Sequence, residues 1–189
     1  MLIEFTFKNS KSFRDEATFS MVAASKLQSN ADLDYGNGGE ERQRPSLSLL
    51  TAAAIYGANA SGKSNLVDAI DKFRPCVIES AKVVFDHPLQ YFRFDNYSDS
   101  ASSTFEITFL IEQTQYRYGF EISRDGQRHL HIESEWLYRA KGSRESVMFE
   151  RTSDLVQRGS AGRSFPEATP LLKDGLLRRP EALLVSQCA

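Results

Sequence analysis

The chain is poor in the residues that usually announce chemistry or compartment. It has two cysteines, three histidines and one tryptophan in 189 residues. Cys76 and Cys188 lie far apart without metal-ligand spacing, which excludes a disulfide scaffold and a zinc ribbon and predicts free thiols in a reducing cytosol. No apolar run reaches the roughly 18 residues of a membrane span. The N-terminus lacks the basic region, apolar core and cleavage site of a secretion signal. A formal net charge of −2 gives no global pull toward nucleic acid or an anionic membrane. The expectation is a cytoplasmic protein without membrane contact, with nucleic acid not indicated by charge. No serine or cysteine sits in a recognisable nucleophile motif. His129, His131 and Glu133 could share one strand face, but an exposed polar face is the better reading.

What is present is patterning. Residues 2–8 alternate, with Ile3, Phe5 and Phe7 on one side, as in a half-buried strand. "NSKSFRDE" reads as a turn and "ATFSMVA" as a returning strand. Residues 25–47 are polar and rich in Gly and Asn, a surface loop. "LSLLTAAAIYG" is apolar without alternation, the pattern of a strand buried on both faces of a parallel sheet. Leu66, Val67, Ile70, Phe73, Val77, Ile78 and Ala81 then mark a helix face. Pro75 predicts a kink or break near Arg74.

From about residue 87 the period changes to two. "HPLQYFRF" reads as a strand. Phe105, Ile107, Phe109 and Ile111 fall in phase, as do Tyr116, Tyr118, Phe120 and Ile122, and Leu130, Ile132, Trp136 and Tyr138. "SVMFERT" follows. Alternating strands joined by short turns predict an antiparallel meander. Residues 152–170 read as loop, and a helix is expected to start at Pro180 and to be cut off while still apolar. The expected organisation is a nucleotide-binding core over residues 1–85, an antiparallel β lobe over 86–152, and a loop with the start of a helical segment over 153–189.

The sharpest signal is "GANASGKS", which meets G-x-x-x-x-G-K-[ST] at Gly57, Gly62, Lys63 and Ser64, between an apolar run and an amphipathic helix. The two glycines let the backbone curl around a phosphate. Amides of residues 60–65, including Ala60, Ser61 and Asn65, are expected to point inward at the positive end of the helix dipole. Lys63 would reach the β- and γ-phosphates of ATP, and Ser64 would offer its hydroxyl to Mg²⁺.

With Asn59 and Asn65, the loop resembles those of ABC-type ATPases, especially the branch containing SMC and RecF-like proteins. Asn9, Lys11, Ser12 and Phe13 match that branch's first turn, although Ser10 stands where an aromatic residue is usual. The resemblance implies a phosphate contact for Lys11. Residues 53–65, 116–122, 135–138 and 149–151 narrow it to AAA-type, ABC/SMC-like prokaryotic P-loop ATPases of the RecF/OLD type. Relatives of these sit in phage-defence and abortive-infection systems. The implied fold is α/β, the N-terminal portion of an ABC/SMC-like head with an antiparallel β lobe. The implied function is ATP hydrolysis in a homodimer of heads, with an effector protein as a further partner.

A hydrolysing member needs a Walker B carboxylate, a signature segment and usually a switch histidine. "KVVFD", ending at Asp86, follows the loop too closely, and "ITFLIE", ending at Glu112, belongs to a hairpin. "PSLSLL" lacks the glycines of a signature. The missing parts are expected downstream, and the catalytic residue is left open. Two rivals stand: a nucleotide-gated interaction module without hydrolysis, and another P-loop enzyme. The chain lacks the N-K-x-D of a GTPase, and "RRPEA" is a poor kinase lid.

Overall fold

The computed structural model describes residues 1–24, 49–80, 90–95, 101–112, 114–124, 130–141, 144–153, 155–159, 172–173, 176–177 and 182–188. Two strands, β1 (Leu2–Lys8) and β2 (Ala17–Ser20), precede the helix α1 (Lys63–Glu79). Seven strands follow: β3 (Ser103–Ile111), β4 (Thr114–Arg124), β5 (Leu130–Lys141), β6 (Arg144–Thr152), β7 (Leu155–Arg158), β8 (Leu172–Lys173) and β9 (Leu176–Leu177). A short helix α2 (Leu184–Gln187) ends the described chain. All nine strands form one sheet, in the order β2-β1-β3-β4-β5-β6-β7-β9-β8, and every pairing in it is antiparallel.

The meander follows from its alternation. Phe7 lies opposite Phe105, and Phe105 opposite Phe120, so successive strands deliver aromatic rings to one face. The same face carries Phe5, Tyr118, Ile122, Ile132, Phe149 and Val156 in the core. Helix α1 covers it with Ala69, Phe73 and Cys76, at helical spacings of four and three. The Phe73 ring stacks on Phe120 at 5.5 Å and meets Phe5 edge-on at 5.4 Å. Burying such rings contributes roughly 1.5–3 kcal/mol each. Burial pushes the Cys76 thiol up to about 12, so Cys76 packs as a small apolar residue rather than a nucleophile. Among the described residues neither Cys76 nor Cys188 forms a disulfide.

Several expectations are corrected. Helix α1 runs unbroken through Pro75. Proline forfeits one backbone donor there, and packing of the flanking Phe73 and Cys76 holds the helix across the gap. The third group of in-phase residues divides. The register shifts between Glu121 and Ile122, where Ile122 faces Ile132 and Glu121 faces Ser134. That bulge inserts Glu133 and inverts the phase beyond it. Ile132 and Glu135 are therefore buried. Trp136 and Tyr138 lie on the opposite face, with Trp136 against Gly119 so closely that no Cβ would fit. Residues 90–95 form no strand; hydrogen bonds to the β1–β2 turn hold them instead. Strand β7 replaces part of the loop expected over residues 152–170. The expected helix start, Pro180, lies outside the described residues, and α2 begins at Leu184.

Candidate functional site

The apolar run before the loop does not enter the sheet. Leu49 is fully buried and bridges Val22, and the Leu50 amide donates to the Met21 carbonyl at 2.7 Å. From there residues 51–61 are exposed, with Ile55 at 40% and Tyr56 at 90%. The expectation of a strand buried on both faces is thus overturned. Its composition demands neighbours on two sides, and the described strands all pair elsewhere.

Of the two glycines expected to bend the loop, Gly62 is left-handed and Gly57 is not. Gly62 caps α1 in the left-handed region with φ of 93°, and Ala60 is left-handed at 63°. A side chain on Gly62 would be strained there, and its Cβ would lie 3.2 Å from Ser12 Oγ and 3.3 Å from Phe13 Cζ. A Cβ on Gly57 would come within 2.8 Å of Ser61 Oγ. Asn59 is exposed. The first intrahelical bond is Leu66 N–H to the Gly62 carbonyl at 3.0 Å. The amides of Lys63, Ser64 and Asn65 precede it and have no helical acceptor. Lys63 Nζ folds back on the loop, donating to the Gly57 carbonyl at 2.8 Å and the Ala58 carbonyl at 2.5 Å, with Ser61 Oγ at 3.4 Å. These partners are all uncharged. Ser64 is exposed in the first turn of α1.

The β1–β2 turn closes against this helix start. Lys11 Nζ lies 2.5 Å from Asp68 Oδ2, and Asn65 Nδ2 donates to Ser12 Oγ at 2.8 Å. The turn is itself well tied. Ser10 and Phe13 exchange backbone bonds at 2.8 Å in each direction. The Asn9 side chain donates to the carbonyls of Ala101 and Ser102 and accepts from the Phe92 amide. Asn9 and Lys11 are both left-handed, at φ of 51° and 52°. The structure therefore gathers Lys11, Gly57, Gly62, Lys63, Ser64 and Asn65 around one helix N-terminus. Within that group Lys11 and Asn65 spend their side chains on Asp68 and Ser12.

This donor set fits a magnesium–triphosphate group. It offers free amides at a helix N-terminus, two glycines where side chains would obstruct, one ammonium and one serine hydroxyl. The Walker-B-like candidates add nothing to it. Glu112 occupies the exposed turn after β3 with φ of 47°, and Asp86 lies outside the described residues. His87 and His129 also lie outside them. Among the described residues no cluster of three or more His, Cys, Asp or Glu could hold a metal ion, and no helix is long and apolar enough to cross a membrane.

Sequence reasoning missed a second polar centre, in the core. Glu135 and Arg151 form a fully buried ion pair at 3.3 Å. Glu135 also accepts from Tyr118 Oη at 3.0 Å, the Leu184 amide at 2.7 Å and the Val185 amide at 3.2 Å. Arg151 donates to the Ala182 carbonyl at 2.8 Å and to the Ser153 carbonyl. Burial pushes the Glu135 carboxyl above the usual range, opposed by the Leu184 amide and Arg151. Burial likewise raises the Tyr118 hydroxyl. This centre clasps the segment around α2 to the sheet; it stands apart from the loop.

A family model described as "AAA domain, putative AbiEii toxin, Type IV TA system" matches residues 52–175. The match takes in the exposed run, the loop, α1 and the strands from β3 to β8. No curated protein matches the chain.

Proposed function

The chain belongs to this family of AAA domains, nucleotide-binding proteins of the P-loop class, and on that footing we propose that it binds Mg·ATP at the loop of residues 57–65. The observation that carries the reading is the Gly62 cap, left-handed and side-chain-free, immediately before Lys63. The amides of residues 60–65 would take the phosphate oxygens, that of Ser61 on leaving the Ala58 carbonyl to which it donates at 3.3 Å, and Lys63 would turn from its carbonyl partners toward the β- and γ-phosphates. Asn59 sits on the rim of the loop. Ser64 would hold the Mg²⁺. The bound ion would supply further neutralisation of phosphate charge. By the resemblance to ABC/SMC-like heads, two copies would enclose the nucleotide and hydrolysis would reset the pair, in a phage-defence setting with an effector protein as partner.

Isothermal titration with Mg·ATP tests the site. Lys63→Ala removes the side-chain cation of the loop and should weaken binding about ten-fold or more, equivalent to about 1.4 kcal/mol. Equal affinity in both proteins would end the assignment. A second reading, nucleotide-gated interaction without turnover, is favoured by the place of Glu112 at an exposed hairpin turn. Phosphate release under excess Mg·ATP, with Lys63→Ala as background, separates the two. Sustained Lys63-dependent release excludes the second.

A further inference from the structure

We propose that the β1–β2 turn is a two-point strap on the helix that carries the phosphate loop, and that Lys11 serves nucleotide binding through Asp68 rather than by touching phosphate. The strap deepens the reading above and rests on it.

Upstream, residues 51–61 are exposed and lie outside the sheet. Downstream, α1 packs on the core from the partly buried Leu66, and its first fully buried residue is Ala69. The amides of Lys63, Ser64 and Asn65 sit just ahead of that packing, on the last residues before it. Donors that must converge on one anion need placement to within about 0.5 Å. To the packing of Leu66 the β1–β2 turn adds polar side-chain contacts at that end of the helix. Ser12 Oγ takes the Asn65 amide group, Lys11 takes Asp68 one turn later, and Ser12 and Phe13 wall off Gly62.

The turn is rigid enough to serve. It is closed by the reciprocal Ser10–Phe13 bonds and anchored through Asn9 to Phe92, Ala101 and Ser102. The Phe13 ring also meets Phe7 edge-on at 4.8 Å. The left-handed backbone at Lys11 is costly for a residue with a side chain and persists only where its surroundings fix it.

Electrostatics assigns Asp68 a role of its own. A carboxylate near a triphosphate site repels the ligand unless a cation answers it, and Lys11 answers it at 2.5 Å. Asp68 is thus a positioning residue whose partner cancels its charge. A Lys11 that contacted phosphate would instead be restrained by Asp68. The two arrangements predict opposite signs for the same substitution.

The test is titration of Mg·ATP and of inorganic tripolyphosphate into wild type, Lys11→Ala, Asp68→Ala, the double alanine variant and the exchange Lys11→Asp/Asp68→Lys, each with a ligand-free melt. The pair is partly exposed, at 24% and 31%, so the melts should stay near wild type. Each alanine variant should weaken both ligands about three-fold, the double variant no more than the worse single, and the exchange should return affinity to within about two-fold of wild type. Ser12→Ala, which cuts the other point of the strap, should weaken both ligands in the same direction. Tighter binding by Asp68→Ala, or an exchange variant no better than Lys11→Ala, overturns the strap while leaving the phosphate loop intact. Wild type that binds neither ligand overturns the phosphate-loop reading and the strap with it.

Discussion

Phe120 and Tyr56 are both aromatic residues in strongly apolar stretches, and they end in opposite places. Phe120 is 0% exposed, whereas Tyr56 is 90% exposed. Phe120 belongs to a hairpin whose partners come from the next strands in sequence, Phe105 across β3 and Glu135 across β5. Local pairing closes such a lobe early and at low entropic cost. Tyr56 belongs to a run with no alternation, which calls for neighbours on both faces. Its sequence neighbours supply them only as far as Leu49 and Leu50. The strands find their pairing partners among themselves; the loop before α1 is held through α1, which packs on the sheet, and through the β1–β2 turn.

The comparison can be broken most decisively from the sheet side. Phe120→Asp removes a ring stacked on Phe73 and buries a charge, costing well over the roughly 3–5 kcal/mol of a large core truncation. Circular dichroism should show an unfolded lobe; an unchanged melt would mean that the lobe does not rest on this face.

Next in size is the buried clasp. Arg151→Met leaves Glu135 without its cation, a loss of about 3–5 kcal/mol. Adding Glu135→Leu should recover part of the melting temperature. It should also speed hydrogen exchange at the Leu184 and Val185 amides, which Glu135 holds at 2.7 and 3.2 Å. Unaltered exchange there would detach α2 from the clasp.

On the solvated face the effects shrink. Arg117 donates to Glu145 at 2.7 Å, and that bond holds the Glu145 carboxyl below its ordinary value of 4.5. A depressed folded value means stability present above pH 4.5 and lost as pH falls through the lower value. Glu145 is partly exposed, so Glu145→Gln should cost only a few tenths of a kcal/mol, on the order of 0.5. Melts across a pH series should show the gap between wild type and variant vanishing in acid. A gap that persists would assign the effect to something other than the ion pair.

The smallest effect belongs to the loop side. Tyr56→Ser should leave the melt within about 0.5 kcal/mol of wild type, as for surface positions generally. A large loss would show that residues 51–57 are packed after all.

These contrasts track what could be read in the residues. Alternation in β1, β3 and β4 was legible because each side chain's fate is set by its nearest strand neighbours. The left-handed backbone at Gly62 was legible because a tight turn into a helix constrains its glycine directly. The inversion at Trp136 was not, since a bulge depends on the pairing of two strands and leaves no local mark at Glu133. Glu135 and Arg151 were equally hidden. A lone acid or base in an alternating strand ordinarily marks the solvated side, and only the segment around α2, distant in sequence, turns theirs into the interior. Pro75 did not break the helix because tertiary packing outweighed a local penalty. The run before Gly57 misled for the reverse reason, having a clear preference and no described partner to satisfy it.

Trp136 gives the molecule an optical handle. It is the single tryptophan of the chain, lying over Gly119 with its indole N–H donated to Glu106 Oε2 at 2.7 Å. Gly119 faces away from Phe120 and hence away from α1. Indole emission therefore reports from the far side of the sheet. It should follow loss of the lobe's tertiary structure and stay nearly silent when the phosphate loop is occupied. A red shift without ligand would mark unfolding, and a signal that responded to ATP would reveal strain carried through the full thickness of the sheet.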